Sequence, residues 1–202
     1  MTLRTNLARA MTSGCLGRWL RDRRGVAALE FALIVPVLVI MLLGTSETVD
    51  LMTVDRKVTM VTSSAADLVA RVREIDTAGL SEVFSAAESI MQPYPTSDGK
   101  LSIRVTSITM DSSNHKTVQW SAATAGTSTY STGSSYSKSV PDGVLAANES
   151  VIMAEIEYDY PGPPTDFLIG GRTMKSTYYA KPRRSRTVLR CNDLTLSSPT
   201  CY

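Results

Sequence analysis

Residues 26–44 read VAALEFALIVPVLVIMLLG, nineteen residues that are apolar apart from Glu30. As a helix they would span about 28 Å at 1.5 Å per residue, close to the hydrocarbon thickness of a bilayer. A cleaved secretory signal has a shorter apolar core, about 7–15 residues, followed by a small-x-small cut site. Gly44-Thr45-Ser46 would serve as that site, but the run is long and contains an acid. A plain membrane anchor accounts for the length and leaves Glu30 unexplained. An acid inside lipid costs roughly 2.5–3.5 kcal/mol at the centre and less near the edge, so its presence points to a function.

The flank before the run is basic. Residues 1–25 hold Arg4, Arg9, Arg18, Arg21, Arg23 and Arg24 against one acid, Asp22, a balance of +5 in a chain of net charge +2, so the remainder carries −3. By the positive-inside rule such a cluster marks the cytoplasmic side of a membrane segment. A nucleic-acid-binding arm is the other reading of a basic block; the adjoining apolar run and the acidic remainder argue against it, and no nucleic-acid partner is expected. Three cysteines are present, Cys15 before the run and Cys191 and Cys201 near the other end. If the basic leader stays in the cytoplasm, the exported part keeps an even number, which suits one disulfide pinning the tail; buried free thiols are the alternative.

The residues Gly25-Val26-Ala27-Ala28-Leu29-Glu30-Phe31 resemble the recognition site of a prepilin peptidase. In that family the cut falls after the glycine and the glutamate is fifth in the mature chain. Cutting between Gly25 and Val26 would free an amine within one helical turn of Glu30, able to neutralise it in the same subunit or in a neighbour. Pro36 would kink the helix or be tolerated through neighbouring helices. Taken from Arg24 through Leu33, with Pro36, Gly44 and Glu47 and the later Ala65-Ala66 and Ala70-Arg71, the stretch resembles the TadE-like family of the tight adherence (Tad, or Flp) pilus system. The resemblance covers residues 24–73. It implies a minor pseudopilin in a type IV-type pilus assembly system. Its implied partners are the inner membrane, the prepilin peptidase, other pilin or pseudopilin subunits and Tad assembly proteins. It also implies a single-pass inner-membrane protein with a cytoplasmic N-terminus and a periplasmic domain, resident in the membrane or built into the pilus. Related TadG-like chains share the pattern as longer, uncleaved anchors, so an anchored envelope protein with a periplasmic binding domain is the alternative.

Beyond Gly44 the helix is expected to continue. Leu51, Val54, Val58, Val61, Ala65, Leu68 and Val72 form a heptad-like stripe, and Asp67 with Arg71 makes a favourable i,i+4 pair. The stripe would pack on the chain's own domain or, in the rival reading, on another subunit's helix. Leu80, Val83, Phe84, Ala87, Ile90 and Met91 predict a second amphipathic helix, capped by Ser81 and ended by Pro93 and Pro95. Leu101, Ile103 and Val105 alternate as a strand, and the change of parity at Ile108 suggests a bulge or a strand end. Val118 and Trp120 belong to a partner strand. Residues 121–139 are rich in Ser, Thr, Gly and Ala and read as a mobile surface loop, with Tyr130 and Tyr136 exposed in it, adhesion being the sharper alternative for them. Ile152, Ala154, Ile156, Tyr158 and Tyr160 alternate with Glu155, Glu157 and Asp159; three acids in line on a strand cannot wrap a cation and read as a solvated face. Pro161-Gly162-Pro163-Pro164 breaks the sheet, Gly170-Gly171 turns, and Met174, Ser176, Tyr178 and Ala180 make a last strand. The basic residues after it, Lys181, Arg183, Arg184 and Arg186, read as a solvated tail or as a contact for anionic lipid or a neighbour's acids.

The expected fold is α+β. A long N-terminal helix, transmembrane and then amphipathic, is packed against a small antiparallel-sheet periplasmic domain. Its segments are a leader at 1–25, the span at 26–44, a helical extension at 45–75 and the domain at 76–202. No Gly-x-Ser-x-Gly elbow and no phosphate-binding loop is present, and His115 is the only imidazole. Asn148-Glu149-Ser150 fits a glycosylation sequon, usually accidental in a bacterial chain. The expectation is a binding or assembly protein, not an enzyme, with no cofactor and no metal site.

Overall fold

The computed structural model describes residues 24–162, 170–195 and 200–202. The leader with Cys15 and the pair Pro163-Pro164 lie outside the described residues. The chain forms two compact units, Met1–Ser46 and Glu47–Tyr202. One helix, α1 (Arg24–Ala70), runs through the first unit and on into the second without a break at Pro36. In the second unit follow β1 (Glu74–Ile75), α2 (Thr77–Met91), β2 (Leu101–Met110), β3 (Lys116–Ala123), β4 (Ser150–Tyr160), β5 (Arg172–Ala180) and β6 (Leu189–Arg190). The class is α+β, a long helix with a small antiparallel sheet.

The four main strands are ordered β3-β2-β4-β5, all neighbours antiparallel, while β1 and β6 form a separate parallel pair. On one face of the sheet, Leu101, Ile103, Val105, Trp120, Ile152, Ala154, Ile156 and Tyr158 share a core with Val54, Val58, Val61 and Ala65 of α1 and Leu80, Val83, Ala87 and Met91 of α2. The stripe on α1 therefore packs on its own domain. It departs from the heptad at its end: Ala66 and Val69 are buried where Leu68 is 39% exposed. A straight helix has 3.6 residues per turn, so a 3.5-residue stripe drifts about 20° per heptad and slides off the buried side.

The cap of α2 is Asp76, whose Oδ1 accepts from the Gly79 N–H at 2.8 Å. Ser81 lies inside the helix, so the expected cap is corrected to a residue five positions earlier. Its other oxygen, Oδ2, accepts from the Leu194 N–H at 3.3 Å, which ties the tail to the same carboxylate. The helix ends at Met91, before the cis Gln92-Pro93 bond.

Parity along β2 changes for a reason the sequence pattern leaves hidden. Strand β2 pairs with β4 without interruption, Ser107 opposite Ile152 and Ile108 opposite Val151. The irregularity is on the β3 side, where Ser107 faces Trp120 and Ile108 faces Val118, passing over Gln119. One extra residue turns Trp120 into the first core and Val118 into a second core on the opposite face. That second core gathers Ile108, Val118, Val151 and Met153 under Tyr136, Val140 and Leu145. The polar segment after β3 is thus a cover for half of the sheet, and Tyr136 is buried, not an exposed loop tyrosine.

The tail is a strap along the end of α1. Arg183 N–H donates to Ala70 C=O at 2.9 Å, Leu189 N–H to Arg73 C=O at 3.0 Å and Cys191 N–H to Ile75 C=O at 2.9 Å. The Trp120 indole donates to Val188 C=O at 2.7 Å. Cys191 and Cys201 are joined in a disulfide that closes the tail on itself.

Candidate functional site

Among the described residues, α1 is the one helix long and apolar enough to cross a membrane. Its apolar stretch is exposed nearly throughout, with Val26 54% and Phe31 68% accessible. Gly25 lies in the first turn, and a Cβ built there would meet nothing within 4 Å. Neither space nor backbone conformation therefore asks for glycine. Val26 and Glu30 are four residues apart on this helix and so share a face. Glu30 and Phe31 are exposed, and Pro36 sits within the helix, where it has no N–H to give to the preceding turn. Gly44 is half-buried, at the end of the first unit.

Glu47 differs from Glu30 in every respect of its surroundings. It opens the second unit and is only 1% exposed. A carboxylate so placed has to be engaged by neighbours, and it is. Tyr160 lies near enough to Glu47 to feel its charge. Tyr94 and Tyr160 meet edge to face with centroids 6.1 Å apart. Burial pushes the hydroxyl of Tyr160 above its ordinary range, and the charge of Asp50, then Tyr94, then Glu47, pushes it further. Tyr94 is raised likewise, by burial and then by Asp50. Lys57 reaches from α1 to the last carbonyls of α2, donating to Ile90 C=O at 3.1 Å and Gln92 C=O at 2.5 Å, with its ammonium 5.8 Å from the Tyr94 ring centre. A cation at a helix C-terminus satisfies carbonyls that have no helical donor.

The acids of β4 do not all face water. Glu157 and Asp159 are exposed, but Glu155 is paired with Arg104 at 2.8 Å and Lys138 at 3.2 Å and accepts from the Tyr130 hydroxyl at 3.0 Å. The Arg104 guanidinium also donates to Ser128 C=O at 2.9 Å and lies 4.5 Å from the Tyr130 ring centre. The solvated-face reading is corrected for Glu155: the folded-over segment brings Lys138 and Tyr130 onto it. Burial pushes its carboxyl up, yet the hydrogen bond and charge of Arg104, with Lys138 and Tyr130, outweigh burial and hold it below the ordinary range.

The basic stretch after β5 has partners inside the chain. Lys181 pairs with Glu149 at 2.7 Å and Arg183 with Asp67 at 2.5 Å, and Asp67 also pairs with Arg71 as the i,i+4 spacing predicts. A solvated tail is therefore replaced by a docked one at these two residues; Arg184 and Arg186 are exposed. Glu74 lies near Cys191 and Cys201, but with both sulfurs in a disulfide the trio offers no thiolate to a metal. The strap, the Lys57 clamp and the second core are invisible to periodicity. The signals that could have found them are Val140 and Leu145, two aliphatic residues downstream of a polar segment, and Asp76, an acid just before an apolar-periodic run.

Compared with known proteins, residues 25–67 match a family model described as TadE-like protein. Comparison with curated proteins and with solved structures gave no match.

Proposed function

We propose that this chain, TadE-like over residues 25–67, is a minor pseudopilin that acts in assembly of a Tad-type (Flp) pilus and is processed by a prepilin peptidase after Gly25. The observation that carries the reading is the family match, which begins at Gly25 and includes the whole apolar run of residues 26–44. Gly25 is a glycine the local fold does not require, and a residue without a side chain suits close approach by a protease. The cut would leave a free amine on Val26, one turn before Glu30. That amine offsets the cost of a carboxylate in lipid, either within the subunit or between subunits. The six leader arginines orient the chain with its N-terminus in the cytoplasm and the 47–202 unit in the periplasm.

Glu30 is then an assembly residue and not a folding residue, because it is exposed and makes no part of the packed unit. Glu30→Ala should leave membrane insertion at the wild-type level and reduce surface pili to near absence, counted by electron microscopy in a strain lacking the native gene copy. Normal pili in that strain would remove the support for an assembly role.

A further inference from the structure

Two polar clefts meet at the Ala180 end of β5. One, about 600 Å³, lies between Ser63, Ser64 and Asp67 of α1 and the end of β5 at Tyr178. The other, about 520 Å³, is lined by Asn148, Glu149 and Ser150 and by Ser185 and Arg186. Lys181 and Pro182 line both, so the clefts form one trough with a shared saddle. The saddle is fixed from two sides. Arg183 N–H donates to Ala70 C=O at 2.9 Å, and the Ser150 hydroxyl donates to Arg186 C=O at 2.5 Å. Pro182 restricts the backbone further, so a ligand would meet a surface already ordered. Within the packed unit, Ser63–Asp67 lies about 24–30 Å of helix beyond Glu47, at 1.5 Å per residue. The trough thus sits toward the end of α1 and away from the start of the unit.

Its charge runs against that of the unit. Residues 47–202 carry 17 Asp and Glu against 15 Lys and Arg. The trough and its rim carry Lys181, Arg183, Arg184 and Arg186 against Asp67 and Glu149. Lys181 pairs with Glu149 and Arg183 with Asp67, which leaves the exposed Arg184 and Arg186 as the cations not committed to those acids. Tyr178, 45% exposed, adds an aromatic ring to walls made otherwise of hydroxyls and charges. We infer that this trough binds a linear acidic polysaccharide, a chain of carboxylated sugars, along the line from Tyr178 through Lys181 to Arg186. Two adjoining clefts over one saddle suit successive units of a linear polymer better than one compact ligand. The C–H face of a sugar ring packs on an exposed aromatic ring. Ser63 and Ser185 donate within the chain, to Met60 C=O and Thr187 C=O, so their oxygens remain acceptors for sugar hydroxyls. The guanidinium forks of Arg184 and Arg186 match a carboxylate in shape and charge. A phosphate polymer such as DNA fits less well, because Asp67 and Glu149 line the same walls and would face its continuous negative charge. The inference does not depend on the pilus reading.

Binding of the purified full chain, in non-ionic detergent micelles, to oligogalacturonate tests it by microscale thermophoresis at physiological ionic strength. Dextran oligomers and a double-stranded DNA oligomer are the comparisons. The wild type should bind oligogalacturonate saturably and dextran far more weakly. Arg184→Gln combined with Arg186→Gln should weaken binding by about tenfold, from the loss of charge-assisted hydrogen bonds. Tyr178→Ala should weaken it several-fold and Tyr178→Phe should not, because the ring and not the hydroxyl makes the contact. Lys175→Gln, which removes a cation of β5 outside both clefts, should leave it unchanged. No saturable binding, or full binding by the double arginine variant, would overturn the inference. DNA bound as tightly as oligogalacturonate, with Tyr178→Ala neutral toward both, would also overturn it, since charge alone would then account for the contact.

Discussion

Glu155 is the residue where charge, burial and pH meet most tightly in the packed unit. It compensates Arg104 and Lys138 at once and accepts from Tyr130, so removing its charge strands two cations over the sheet. Glu155→Gln should cost about 1–3 kcal/mol at neutral pH, the usual penalty for leaving a buried charged partner unsatisfied. The pH dependence has a definite sign. Its folded-state pKa is depressed, so the stabilisation is present above the unfolded value and lost as pH falls through the folded one. Thermal unfolding of the detergent-solubilised chain should thus separate wild type from Glu155→Gln at pH 7 and narrow the gap only as pH falls below the ordinary carboxylate range. A gap that persists in acid would mean that the amide acts through packing alone. Glu30 and Glu47 make the complementary contrast at this scale: two acids of one family segment, one on an open helix face and one 1% exposed.

At the scale of elements, two parts hold the unit together without any periodic signal, and each gives a prediction. Leu145 covers the second core, so Leu145→Ala should cost about 2 kcal/mol or more, the low end for a buried leucine because its site lies near the surface. Opening the Cys191–Cys201 bridge by Cys201→Ser should cost about 3 kcal/mol, from the loop entropy of a short closed segment. Urea unfolding followed by near-ultraviolet circular dichroism reads both, and an unchanged midpoint in either variant would mean that the cover or the strap is energetically idle. What was legible in the sequence follows from the same distinction. Helices α1 and α2 and strands β2 to β4 each present an apolar stripe to the core, to which β5 adds Met174, and period 3.6 or 2 reveals such stripes. Tyr136, Val140 and Leu145 fold onto the sheet at irregular intervals, so no period betrays them. The strap at Arg183, Leu189 and Cys191 is held by backbone hydrogen bonds, and every residue but proline carries the same backbone groups. The shift from Leu68 to Val69 came from reading a heptad where a straight helix drifts. Of the candidate site, the spacing of Gly25, Val26 and Glu30 was legible because it lies within one helix; the burial of Glu47 was not, since burial is set by tertiary packing that no spacing along one helix reveals.

For the whole molecule, a basic leader, one exposed apolar helix and an acidic packed unit follow one another along the chain, and the family match covers the helix that joins them. The core and backbone contacts described for the packed unit are made within residues 47–202, so removal of the leader after Gly25 should leave that fold intact while changing the charge at the helix start. That single cut separates a pilin-type subunit from a permanently anchored envelope protein. It is read most directly from the N-terminal sequence and intact mass of the protein extracted from membranes, with and without Gly25→Arg. Processing predicts a chain beginning at Val26 in the wild type and an uncut leader in Gly25→Arg. An intact N-terminus in both, or a cut near Ser46, would contradict it.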